Sequence, residues 1–190
     1  IVTNDFKVSN GGPSTSGNFR LDFPLLREVG GAFELSSAED LEVLKERETE
    51  AASFPVLVKV GSLLVTNTDL TTLVGSFGAA DVPEGALPSL STVSGTLTVS
   101  SNANLTSLAL PSLSTVEGTL TVSSNANLAS LALPSLSTVE GALIMTSNGK
   151  LVQVSLEALR RVGPVDGRTA RNFEFSDNAA DPGALGNVVI

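Results

Sequence analysis

Histidine, cysteine, tryptophan and tyrosine are all missing from this chain of 190 residues. Without imidazole or thiolate, the usual zinc, haem and iron–sulfur ligand sets are excluded, together with disulfides, thiol catalysis and every triad that needs a histidine. No cofactor or metal is expected, and no enzyme. The lack of cysteine does not place the protein by redox compartment, because a chain of this length buries roughly 70% of its unfolded surface and needs no staple on either side of a membrane. Eight Phe are the only aromatics, so the core must come from thin, branched Leu and Val side chains in regular layers. Positive charge is also scarce: 11 Lys and Arg stand against 20 Asp and Glu, for a net charge of −9, and neither cation occurs between Lys59 and Lys150. That leaves no basic footprint for nucleic acid or an anionic membrane surface. Gly, Ser, Pro or Asp interrupts every apolar run before the ~20 residues of a membrane span. Direct membrane insertion of this chain is therefore not expected. The first residue is Ile1 rather than Met, as in a processed or trimmed start.

What is present is repetition. "LPSLSTVSGTLTVSSNANLTSLA" runs from Leu87 to Ala109, and "LPSLSTVEGTLTVSSNANLASLA" follows from Leu110 to Ala132. A third copy begins at Leu133 and keeps "LPSLSTVEG" before diverging to "ALIMTSNGKL". The same template fits Phe23–Leu41 without a gap, Phe54–Leu70 with short deletions, and the restart Leu156–Val162 followed by a strand-like Asn172–Asn178. Asp5–Asn10 looks like the second half of a truncated first unit. A period of this length belongs to solenoids, whose turns cannot bury an apolar edge without neighbours on both sides.

Within each unit the pattern predicts how the turn folds. In "GTLTVSS" Leu97 and Val99 alternate with Thr96, Thr98 and Ser100, the period of two that marks a half-buried strand with its hydroxyls outward. Leu105, Leu108, Leu110 and Leu113 then follow at a spacing suited to tight turns rather than to a long helix. An Asn recurs near the end of each strand, as Asn67, Asn102, Asn125, Asn148 and Asn178. Its amide both donates and accepts, so these residues are expected to form a buried ladder from turn to turn; an αL turn at each Asn is the competing account. Gly31, Gly61, Gly95, Gly118 and Gly141 precede the strands, where a positive φ or a close approach between turns requires glycine. No glycine-rich nucleotide loop or Walker lysine is present. Ser36–Ser53 departs from the template and reads as an inserted helix capped by Ser36 or Ser37, with Glu39 and Asp40 in its first turn.

The expected fold is thus all-β with one short inserted helix: a right-handed parallel β-helix or solenoid of leucine-rich-like turns of about 23 residues. It forms a single domain, with a truncated turn or cap over 1–22, repeats over 23–162 carrying the helical insertion at about 38–52, and a last strand with its cap over 163–190. The "LPSLSTVEGTLTVSSNANL" phrase, with its Leu-x-x-Leu-x-x-Val-x-Gly opening, Leu-x-Val strand and Asn-x-x-Leu turn, resembles the receptor L domain. That family is the leucine-rich-like β-helix of insulin- and epidermal-growth-factor-type receptor ectodomains and of GPI-anchored fungal cell-wall proteins. The resemblance covers about Phe23 to Asn178 and implies a non-catalytic binding or structural module, extracellular or at the cell surface, with a protein or glycan partner or a place in a larger assembly.

Stacking the aligned strands puts Lys7, Glu34, Leu64, Thr98, Thr121, Ile144 and Glu174 in one outward column. Asp5, Ala32, Ser62, Thr96, Thr119, Ala142 and Asn172 fall in its neighbour. Charge lies at both ends, with a neutral, partly apolar strip between. The candidate partner-binding face is accordingly Leu64, Thr96, Thr98, Thr119, Thr121, Ala142 and Ile144. Two alternatives are an ice-binding solenoid built on the Thr-x-Thr pairs, and a β-helix carbohydrate-active enzyme, which would need clustered carboxylates or a Lys or Arg base on one face; Glu117 and Glu140 occupy the same site in consecutive turns but read as edge charges beside the rim glycine. Asn104 opens "NLT", an acceptor sequon at a turn.

Overall fold

The structure, a computed structural model, describes residues 1–9, 25–36, 57–68, 72–74, 87–163 and 173–178. All described strands pair in parallel, in two sheets. The larger, of eleven strands, has as its spine the alternating strand segments predicted above: β1 (Phe6–Ser9), β2 (Glu28–Ser36), β3 (Lys59–Thr66), β6 (Leu97–Ser100), β9 (Leu120–Ser123), β12 (Leu143–Thr146) and β15 (Phe173–Ser176). A two-residue strand precedes each of the later ones in the chain: β5 (Thr92–Val93), β8 (Thr115–Val116) and β11 (Thr138–Val139), with β14 (Arg161–Val162) closing the series. Because β3 pairs with both β5 and β6, the short and long segments belong to one sheet, broken in the later coils at the Ser–Gly or Glu–Gly corner.

Period-two alternation dictates what goes inside. Leu97 pairs with Leu120 and Leu120 with Leu143, each no more than 1% exposed. Val99, Val122 and Met145 stack beside them, and Val93, Val116 and Val139 continue the interior under the short strands. Each fully buried Leu contributes about 2 kcal/mol relative to an exposed one, and each is covered only when a coil lies above and below it.

The second sheet is a departure from the sequence reading. Three-residue strands β4 (Thr72–Val74), β7 (Ser107–Ala109), β10 (Ser130–Ala132) and β13 (Gln153–Ser155) form a four-stranded sheet where tight turns were expected. Leu108 and Leu131 face the core from it, flanked by Ser and Ala, so "SLA" is a one-residue alternation too short for its period to register. Among the described residues there is no helix; the insertion expected at about 38–52 lies outside them.

The corners are closed by hydrogen bonds between coils. Asn102, Asn125 and Asn148 are fully buried and form the expected ladder. Asn102 donates through Nδ2 to Asn125 Oδ1 at 3.1 Å, and its backbone N–H reaches the same oxygen at 3.1 Å. Asn125 repeats both bonds to Asn148, and Asn148 to Asn178. The second amide hydrogen of each goes to the end of the preceding strand, at Val65, Val99, Val122 and Met145. Asn67 does not belong to this series. Thr68 occupies the rung, its hydroxyl donating to Asn102 Oδ1 at 2.7 Å, while Asn67 is exposed with φ 52°. Gapless alignment of "VTNT" with "VSSN" shows why: Asn67 matches Ser101, which has φ 57°, and Thr68 matches Asn102. The αL account therefore holds at Asn67 and the ladder account at the other four. A second ladder stands at another corner, where Ser91, Ser114 and Ser137 each donate Oγ to a backbone carbonyl of the preceding coil at 3.0–3.1 Å.

Candidate functional site

The outward column derived from the sequence is present in full. Lys7, Glu34, Leu64, Thr98, Thr121, Ile144 and Glu174 are successive pairing partners across β1, β2, β3, β6, β9, β12 and β15. Beside it, Ala32 pairs with Ser62, and the Thr96, Thr119 and Ala142 carbonyls accept backbone bonds from Leu63, Leu97 and Leu120 at 2.8–2.9 Å. Leu64, Thr98, Thr121 and Ile144 thus lie within strands of the large sheet, and Thr96, Thr119 and Ala142 each immediately precede one. Thr96 is exposed; Leu64, Thr98, Thr119, Thr121, Ala142 and Ile144 are half-buried, each shielded by its neighbours above and below.

A third column went unremarked in the sequence. Ser9, Ser36, Thr66, Ser100, Ser123, Thr146 and Ser176 are also successive partners, so each of the seven longer strands of the large sheet ends on a hydroxyl-bearing residue. The signal was available as "VS", "LS", "VT", "MT" and "FS" closing these strands, but Ser and Thr are ordinary there. In the coils of β6, β9 and β12 the three columns comprise Thr, Ser, Ala and Ile alone and carry no charge.

Charge bounds the face at each end. Lys7 Nζ lies 2.7 Å from Glu34 Oε1, and Ser36 Oγ donates to the same carboxylate oxygen at 2.7 Å. The Lys7 hydrogen bond, followed by that from Ser36, holds the Glu34 carboxyl below its ordinary value despite some desolvation. A carboxylate whose folded pKa is lowered adds stability above its unfolded pKa and loses it as pH falls through the folded one. Acid titration should therefore loosen the β1–β2 end of the stack below the ordinary glutamate range, and Glu34→Gln should remove that step from the hydrogen-exchange profile of β1.

The rim carboxylates do not converge. Glu117 and Glu140 are exposed beside Gly118 and Gly141, and Glu140 pairs with Arg161 at 3.0 Å in solvent, an ion pair of little energetic weight. Among the described residues no group of three or more Asp or Glu could hold a metal ion. With no helix among the described residues, none there is long and apolar enough to cross a membrane.

Parallel coils around a leucine spine, an asparagine ladder and an outer sheet face that is uncharged over its central coils define an all-β, solenoid-like repeat module. The chain belongs to the receptor L domain family, whose model matches residues 60–162, more than half of its length. Domains of this family are non-catalytic ligand-binding modules, typically extracellular, whose ligands are commonly proteins. The match runs from within β3 to the end of β14, and β2 and β1 on one side and β15 on the other prolong the same sheet beyond it. No curated protein and no solved structure matches the chain.

Proposed function

We propose that this protein is an extracellular recognition module that docks a protein partner on the outer face of its large sheet, centred on Leu64, Thr98, Thr121 and Ile144. The observation that supports the reading is the unbroken in-register column of uncharged residues across four successive coils, with charge only beyond its ends. The scaffold is taken as right-handed coils of about 23 residues, the offset that separates Asn102, Asn125 and Asn148. Short β-branched side chains held in a sheet lose little rotamer freedom on contact, so an uncharged partner surface meets a low ordering cost.

The four uncharged ranks, ~4.8 Å apart, and ~9 residues of strand make a footprint of roughly 570 Å² once the Thr92, Thr115 and Thr138 segment is included, so a partner burying the ~800 Å² of one side of a standard interface would also reach the charged ranks of Glu34 and Glu174. Ice is a poorer occupant, because Thr fills both columns only at Thr96–Thr98 and Thr119–Thr121, while the flanking ranks carry Ser62 with Leu64 and Ala142 with Ile144.

A double change Thr98→Glu and Thr121→Glu places two carboxylates where the partner would have to desolvate them. Partner capture should fall at least tenfold, whereas Ser107→Glu with Ser130→Glu, on the second sheet, should leave it unchanged. Equal capture by both variants would reject the face. Protease treatment of the partner preparation should abolish binding; sensitivity to glycosidase instead would make the partner a glycan and the protein reading wrong.

A further inference from the structure

We propose that Asn104 is an acceptor for an N-linked oligosaccharide, added at the turn between the two sheets. The two 23-residue copies differ at only two positions, Ser94 against Glu117 and Thr106 against Ala129. The second difference completes Asn104-Leu105-Thr106 as a sequon with no proline in its middle, while the next coil reads Asn127-Leu128-Ala129 and the one after it Lys150-Leu151-Val152. Asn104 and Thr106 are both exposed, and Leu105 between them is fully buried. An oligosaccharide on Asn104 therefore stands in solvent while Leu105 keeps the turn seated on the core. The attachment point lies outside both strands that flank it, β6 ending at Ser100 and β7 starting at Ser107. It does not belong to the Thr98 column.

The repeat shows what modification would cost the turn. At the equivalent position of the next coil, Asn127 Nδ2 donates to the Ala103 carbonyl at 2.7 Å, a bond from one turn to the turn before it. An amide nitrogen has two hydrogens. In the transfer, Asn104 Nδ2 forms a bond to C1 of the first sugar of a polyprenyl-diphosphate-linked oligosaccharide. The C1–oxygen bond to the diphosphate breaks, the lipid diphosphate leaves, and Nδ2 gives up one proton. One N–H remains on Nδ2, enough for a single bond of the kind that Asn127 makes.

The inference rests on the extracellular reading, and the test separates the two. The chain is produced in a eukaryotic secretory host behind an added cleavable signal, which delivers it to the lumen whatever its natural destination. Intact-mass measurement should show one oligosaccharide, and peptide-N-glycosidase in heavy-oxygen water should convert Asn104 to a labelled aspartate. Thr106→Ala, at an exposed position, should be secreted at the same level and lack the added mass. Ala129→Thr should carry a second oligosaccharide, on Asn127. Wild-type chain recovered from the lumen with Asn104 unmodified would overturn the proposal, and would count against the glycan rather than the extracellular assignment.

Discussion

Asn125→Ala should lower the unfolding free energy by about 4 kcal/mol, at the upper end of what one polar side chain contributes. Asn125 Oδ1 accepts both the backbone N–H and the Nδ2 of Asn102, and its Nδ2 donates to Val99 O and Asn148 Oδ1, all at 3.0–3.1 Å and out of contact with water. Truncation leaves two donors of the Asn102 coil and two acceptors without this partner, and each buried group left unpaired costs about 1–3 kcal/mol, less where a neighbour relaxes toward it. Asn125→Asp should be at least as damaging, since a carboxylate would face the Val99 carbonyl and the Asn148 amide oxygen, both acceptors. The internal control is Asn67→Ala: that side chain is exposed and outside the ladder, so the change should cost only the roughly 1 kcal/mol by which Asn tolerates a left-handed φ better than Ala. Thr68→Val, which removes one hydroxyl donor from the rung and keeps the shape, should fall between them at about 1–2 kcal/mol. Urea denaturation of the four variants gives the order directly. Equal midpoints for Asn125→Ala and Asn67→Ala would mean that the ladder does not hold the coils together.

The contrast between Asn67 and Asn102 also shows what was legible before any coordinates. Where the repeat aligns without gaps, side-chain alternation fixes register, because a slip of one residue would turn every Leu and Val outward. That is why the column from Lys7 to Glu174 and the meeting of Leu97, Leu120 and Leu143 follow from the letters alone. At "VTNTDL" the template fits only with deletions, and pairing Asn67 with the other Asn residues misplaces the rung by one position, because Thr68 fills it through its hydroxyl and backbone N–H. Ser101, Ser124 and Ser147, with φ of 56–57°, could not be found at all, since serine has no signature for that conformation and the ladder on one side and the strand on the other impose it. The candidate face was legible as geometry and illegible as chemistry. Thr and Ser suit an exposed strand whether or not anything binds there, so the columns locate a surface and its charge without naming what meets it.

Gly118→Ala should be destabilising by about 3 kcal/mol, the expected range for forcing extra volume between packed backbones. Glycine is required there by proximity and not by its φ, since the only glycine with positive φ among the described residues is Gly163. A Cβ on Gly118 would stand 2.6 Å from the Gly95 carbonyl oxygen and 2.7 Å from its carbon, and one on Gly141 would stand 2.7 Å from Gly118 C and Thr119 N. These are backbone atoms, which cannot swing aside as the end of a side chain can. Relief requires the coils to separate, and separation lengthens the bonds Gly118 N–H to Gly95 O at 2.9 Å and Gly141 N–H to Gly118 O at 3.0 Å. The damage should therefore spread to both neighbouring coils and appear as lost amide protection in β6 and β12 as well as β9. Gly149→Ala supplies the opposite sign. A Cβ there meets nothing nearer than Ala126 O at 3.8 Å, and the turn does not have a positive φ. Restricting the unfolded chain should then stabilise the protein by about 0.4–1 kcal/mol. Thermal melts that move the same way for both substitutions would show that backbone freedom, and not the contact between stacked corners, selects glycine in this fold.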